Sequence, residues 1–191
     1  MYEENRYTTV DLKFVEKKFK ILKESEDISE KIDSGCLIWD LSSNKNFSKF
    51  LIQLGVVEMI KFELKDKKLS YRMKEIYFGI LSNFFLTKEF ELEPILVFEN
   101  LQLENVELLS EMIKFLSLLV ISSKKSIWIP EILKKLEIFL MILQNSLIEE
   151  LIKNTIILLK NSSYYDKNIA LSLSNEHLNH LIDVFTNSIE E

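Results

Sequence analysis

The stretch Cys36-Leu37-Ile38-Trp39-Asp40-Leu41-Ser42 is an apolar run closed by a serine, and the same pattern returns at intervals of forty residues. Gly79-Ile80-Leu81 leads to Ser82, Leu118-Leu119-Val120-Ile121 to Ser122, and Ile156-Ile157-Leu158-Leu159 to Ser162. Each serine is followed by a polar loop and then by a shorter helical segment. A period near 40 with two or three helices per unit is the signature of armadillo and HEAT arrays. Such units bury their apolar faces only by stacking on neighbours, and about four of them exceed the practical minimum of three. The expected fold is therefore all-α, an armadillo/HEAT-like α-solenoid of about four repeats. It would form one domain over 1–191, with residues 1–8 expected to be disordered. The repeats agree in pattern and not in residues, so an irregular helical bundle with chance spacing is the competing reading.

The punctuation outside these runs is consistent with helices. Gly35, Gly55, Gly79, Pro94 and Pro130 are the only glycines and prolines, which leaves few turn-formers. Leu12, Val15, Phe19 and Leu22 fall at helical spacing behind Thr8-Thr9, and Ile28, Ile32, Cys36 and Trp39 form the next set. Asn46 is expected to open a short helix that Gly55 ends, and Val56 to Lys65 the next. After the turn Asp66-Lys67-Lys68 a longer helix runs from about Ser70 to Leu86, with Met73, Ile76, Tyr77, Ile80, Leu81 and Phe84 as its core face. Pro94 suits a first helical turn. Val106 to Val120 forms another apolar stripe, and Pro130 is placed near the start of a helix reaching about Gln144. Leu147 to Leu159 and Ser174 to Ile189 complete the series, with Ser174 as an N-cap.

Composition narrows the function classes. A chain that is 47% hydrophobic and 28% charged is neither a disordered polymer nor a membrane span, and its longest apolar runs are too short to cross a bilayer. The opening Met1-Tyr2-Glu3-Glu4-Asn5-Arg6 lacks the layout of a secretion signal, which predicts an intracellular protein, cytoplasmic or nuclear. Cys36 is the single cysteine. Its apolar neighbours predict a buried, inert thiol, because the segment supplies no cation of the kind reactive cysteines need. The net charge of −6 argues against sequence-blind affinity for nucleic acid. Arg6 and Arg72 are the only arginines, and lysine lacks the bidentate fork that reads bases.

The stretch Ser34-Gly35-Cys36-Leu37-Ile38-Trp39-Asp40-Leu41-Ser42, followed by Glu75-Ile76-Tyr77-Phe78-Gly79-Ile80-Leu81-Ser82-Asn83-Phe84, resembles the serum amyloid A-like family of armadillo-type proteins. That family shows a Trp-Asp-Leu-Ser helix end and, at the same distance, a Glu-Ile…Gly-Ile-Leu-Gly-Asn helix. Ser82 stands here where the family has a glycine. The likeness covers roughly residues 34–90, under a third of the chain. It implies an armadillo-like fold and no known catalytic activity; animal members look nuclear and growth-associated. From the residues themselves, Asp40 is expected to cap a neighbouring helix, and Gly79 inside a helix signals a close helix contact.

No catalytic frame emerges. Three scattered glycines cannot make a phosphate loop, and no nucleophile elbow surrounds a serine. His177 and His180 lie three apart before Asp183 with no further ligand cluster, and are read as solvent-facing. The reading is of a non-enzymatic chain with no catalytic residue, metal, cofactor or small-molecule substrate, and no membrane partner. Asn44, Asn83 and Asn161 stand at comparable places in successive units, where groove asparagines of armadillo arrays hold an extended peptide; helix capping is the simpler role. Lysines follow each break: Lys45 and Lys49, Lys88, Lys124 and Lys125, then Lys167. If the period is real they stack along one edge, and Lys67, Lys68 and Arg72 add a cationic tip with Lys65 and Lys74 nearby. Such an edge can touch phosphates without reading bases, although solubilising loop lysines look the same. Trp128 is expected in the core and the pair Tyr164-Tyr165 on the surface.

Two functions follow. The first is a scaffold that binds a protein partner or larger assembly. The second is a factor that docks on a ribonucleoprotein such as the ribosome and acts by occupying a site, translation-inhibitory or dormancy-type. There the lysine edge would meet rRNA, and acidic faces such as Glu104, Glu107 and Glu111 would meet ribosomal proteins.

Overall fold

The computed structural model describes residues 9–87, 90–122, 125–174, 176, 177, 179 and 180. Among these the chain forms eleven helices and no strand, so the expectation of an all-α protein is met. It divides into two compact units, Met1–Phe90 and Glu91–Glu191. Residues 1–8, and the expected last helix beyond His180, lie outside the described residues.

The first unit holds α1 (Thr9–Glu24), α2 (Ile28–Ser42), α3 (Lys45–Gln53), α4 (Val56–Glu63) and α5 (Tyr71–Phe85). Short polar side chains begin these helices by taking the amides that a first turn leaves unbonded. Asp27 accepts from Ser29 and Glu30 ahead of α2, and Ser70 from Met73 ahead of α5. Asn44, not the expected Asn46, opens α3, accepting from the Asn46 amide at 3.0 Å. Gly55 turns α3 into α4 with φ of 88°, a left-handed conformation that a side chain disfavours.

Helix α5 is buried from Met73 to Ser82 without interruption. The six residues expected on its core face are all buried, but so are Phe78 and Gly79 between them and the polar Lys74 and Glu75. Its sequence is apolar around the whole circumference over Ile76–Leu81, and a helix of that kind is stable only inside.

The second unit holds α6 (Pro94–Phe98), α7 (Val106–Leu119), α8 (Lys125–Lys134), α9 (Leu136–Asn145), α10 (Glu149–Ser163) and α11 (Lys167–Leu171). Pro94 is the first residue of α6, as expected. Pro130 instead lies inside α8, and the single helix expected up to Gln144 is two helices, α8 and α9. The chain tightens between them, with i→i−3 bonds from Lys135 N to Ile132 O and from Ile138 N to Lys135 O, both at 3.0 Å. Trp128 is buried, its ring 6.5 Å from that of Phe98. The Ser174 hydroxyl accepts from the His177 amide and its own amide donates to His177 Nδ1 at 3.0 Å. Helix α11 has no counterpart in the sequence reading, since five residues are too few to show a period.

Ser42, Ser82 and Ser162 prove to be last-turn residues, not breaks, whereas Ser122 follows the end of its helix as expected. Ser42 and Ser82 lie within α2 and α5, Ser162 within α10, and Ser122 just beyond α7. All four are buried. Each hydroxyl donates to a carbonyl one turn back: Trp39 O at 2.6 Å, Phe78 O at 2.9 Å, Leu119 O at 2.7 Å and Leu158 O at 2.8 Å. That bond lets a small polar side chain enter an apolar interior without leaving a donor unmet.

Candidate interaction surfaces

Helices α2 and α5 lie against each other, and their contacts advance together along both. A Cβ on Gly35 would meet Ile76 Cγ2 at 3.0 Å, and one on Gly79 would fall inside the Trp39 indole. At the far end Asn83 Nδ2 donates to Ser42 Oγ at 2.9 Å and to Trp39 O at 3.2 Å. The two helices therefore run in the same direction, offset by one sequence period. Just beyond them Ser48 and Thr87 share a hydroxyl hydrogen bond of 2.7 Å at a separation of 39 residues. In the second unit α7 and α10 are in contact. The segments that follow them are joined by Lys125 Nζ donating to Tyr165 OH at 3.0 Å, 40 residues apart. Gly79 thus has the close helix contact expected of it, and Trp39, Ser42, Gly79 and Asn83 form one interlocking device.

This device occupies one of the three candidate peptide-binding asparagines. Asn83 ties α5 to the end of α2, and Asn44 caps α3 with its carbonyl oxygen. Asn161, half-buried in the last turn of α10, belongs to the second unit. Asp40 is exposed, and its carbonyl accepts from the Ser43 hydroxyl.

The cationic candidates divide in the same way. Lys45 and Lys49 are exposed on α3, Lys67 and Lys68 in the α4–α5 turn, and Lys167 at the start of α11. Lys125 is committed to Tyr165, with its ammonium 4.3 Å from the ring centroid as well as bonded to the hydroxyl. Arg72 is spent twice, on Glu75 Oε1 at 2.5 Å and on Cys36 Sγ at 3.3 Å. Glu75 raises the Arg72 pKa, chiefly through that hydrogen bond. Lys88 and Lys124 lie outside the described residues.

Cys36 differs from its expected setting. It is half-buried, and the cation its own segment lacks arrives from α5 as the Arg72 guanidinium. The i,i+3 spacing of Arg72 and Glu75 is legible in sequence, whereas the approach of Cys36 from 36 residues away is not. The two histidines are half-buried and separately employed, His177 with Ser174 and His180 through Nε2 to Ser146 O at 2.9 Å. No group of three His, Cys, Asp or Glu side chains able to hold a metal occurs among the described residues.

Large apolar side chains also reach the surface. Phe62 and Leu86 in the first unit are exposed, as are Leu147 and Tyr164 in the second, each by more than 70%. No helix among the described residues is long and apolar enough to cross a membrane. No protein-family model matches the chain, nor does any curated protein or solved structure.

Proposed function

We propose that this chain is a non-enzymatic, armadillo-like α-solenoid of about four repeats that binds a protein partner inside the cell, in the cytoplasm or the nucleus. One observation carries the reading. Residues 39 to 41 positions apart meet side by side in each unit, the relation that successive copies of a stacked repeat must have. The buried, back-bonded serine at the end of each period supports the same register. Kinship with the serum amyloid A-like family draws support from the single contact in which both halves of its motif take part. With Asn44 and Asn83 spent on helix ends, the binding surface is assigned to exposed apolar anchors, the residue class on which protein partners gain most.

The test is affinity capture of the tagged chain from its native cells at low and moderate salt, followed by mass spectrometry and by Leu147→Asp with Tyr164→Ala. Salt-insensitive capture of one protein that the double variant loses is the expected result. Capture unchanged by the variant would overturn the assignment of these anchors.

A second reading, docking on a ribonucleoprotein through RNA phosphates, is favoured by Lys45, Lys49, Lys67, Lys68 and Lys167 being exposed and outside every ion pair among the described residues. Co-sedimentation with ribosomes that falls steeply with salt supports it, since phosphate contacts release counterions.

A further inference from the structure

Five lysines of α1 lie between Lys13 and Lys23 with Glu16 the only carboxylate among them, in a chain whose net charge is −6. Lys13, Lys17 and Lys20 fall at i, i+4 and i+7, so they line one face of the helix. All three are exposed. Val15 and Leu22 are buried on the opposite face, and α1 lies against α2. Among the described residues Lys13 and Lys17 make no ion pair, and Lys20 makes a loose one of 3.9 Å with Glu24. Glu16 stands beside the row, and no exposed carboxylate of α2 is paired with it.

One edge of this face is apolar. Phe14 is 49% exposed, and Ile21, two turns on, is half-buried. The Lys18 ammonium stands 5.8 Å from the Phe14 ring centroid, a cation–π contact. A basic amphipathic helix meets either a membrane surface or an acidic protein. Here the buried apolar residues Val15 and Leu22 are not free to enter a bilayer, and a stable lipid anchor needs more than a row of lysines. A nucleic-acid strand would stack a base on Phe14, but Lys18 already takes one face of that ring. A second helix uses both features of α1. Carboxylates at the same helical spacing match the lysine row, and an apolar side chain beside them covers Phe14.

We propose that the outer face of α1 docks an acidic amphipathic helix of a protein partner. Lys13, Lys17 and Lys20 pair with its carboxylates, and Phe14 and Ile21 seat its apolar seam. This contact goes beyond the proposed function, whose tested anchors, Leu147 and Tyr164, belong to the second unit. Either surface can fail its own test while the other stands.

The test follows the ¹⁵N-labelled chain by NMR during titration with a synthetic helical peptide at constant ionic strength. The peptide carries glutamates at i, i+4 and i+7 beside a leucine seam. Saturable shifts centred on the α1 amides are expected. The same peptide with glutamine for glutamate should bind about tenfold more weakly, since three exposed ion pairs are lost. Lys13→Gln with Lys17→Gln and Lys20→Gln should weaken the acidic peptide to the same extent, and Phe14→Ser should weaken it as well. Thermal melts of each variant confirm that it folds. Shifts absent from α1, equal affinity for the glutamine peptide or in the triple lysine variant, or tighter binding of phosphatidylserine vesicles or an oligouridylate would each overturn the proposal.

Discussion

Replacing the Gly79 hydrogen by a methyl group sets two effects against each other. Alanine favours a helix by about 1 kcal/mol over glycine, but the new carbon would occupy the Trp39 indole. The ring must move out of a packed interface, and overpacking of that kind costs about 1–3 kcal/mol. Gly79→Ala is therefore expected to be net destabilising in urea unfolding. Gly35→Ala is expected to be less destabilising than Gly79→Ala, because its new methyl meets only Ile76 Cγ2 at 3.0 Å, although that methyl sits on the β-carbon of a buried, stiff side chain that must shift by a few tenths of an ångström. Tyr77 supplies a second prediction at this scale. Burial holds its phenol well above the ordinary range, with Glu63 adding to the effect. The folded state thus retains a proton that the unfolded state releases near pH 10. Stability is full below that pH and declines as pH rises beyond it. Tyr77→Phe should flatten this alkaline decline, which urea midpoints between pH 9 and pH 11 would measure (about two units around the free tyrosine value). An unchanged slope would show that other groups cause it.

Helices hold together here through polar ties at their ends as well as apolar faces along their lengths. Asn83→Ala removes two bonds to the end of α2 and should cost about 1–3 kcal/mol, the range for stranding buried partners. Asn44→Ala removes only a cap and should cost about 1 kcal/mol. Chemical denaturation of the two variants side by side checks the order; an Asn83 effect no larger than the Asn44 effect would reduce the tie to an ordinary cap. Lys74 makes the opposite prediction. Its pKa is lowered, chiefly by desolvation, so the folded state disfavours the charge. Lys74→Met should raise the urea midpoint at neutral pH, since methionine carries no charge to desolvate. The same lowered pKa means that the wild-type penalty fades as pH climbs from the folded value toward the free lysine value, so the advantage of the methionine variant should shrink there.

Across the whole chain, the lysine-edge idea now rests on fewer residues than the spacing alone offered. Lys125 is bound to Tyr165, so its reversal would disturb packing as well as charge. Lys45→Glu with Lys49→Glu is the cleaner variant, both side chains being exposed on α3. If phosphates are contacted there, ribosome co-sedimentation should weaken and its logarithmic salt slope should shrink by about one to two units. Binding that keeps its slope would remove the edge.

Most helix positions and Pro94 at a first turn were legible in the sequence, because they arise from neighbours within a turn or two. The misreadings were local competitions decided by a few atoms. Ser82 and Ser162 stay within their helices by bonding back to carbonyls, and Asn44 takes the cap that Asn46 was assigned. The motif halves at Trp39–Ser42 and Gly79–Asn83 were visible as a pair, but not their common contact. What only the tertiary structure decided was which polar side chains are already spent. Arg72 meets Cys36, Asn83 meets Ser42, and Lys125 meets Tyr165 across 36, 41 and 40 residues. A hydrogen bond depends on tenths of an ångström, and residue spacing along a chain fixes no distance between atoms that far apart.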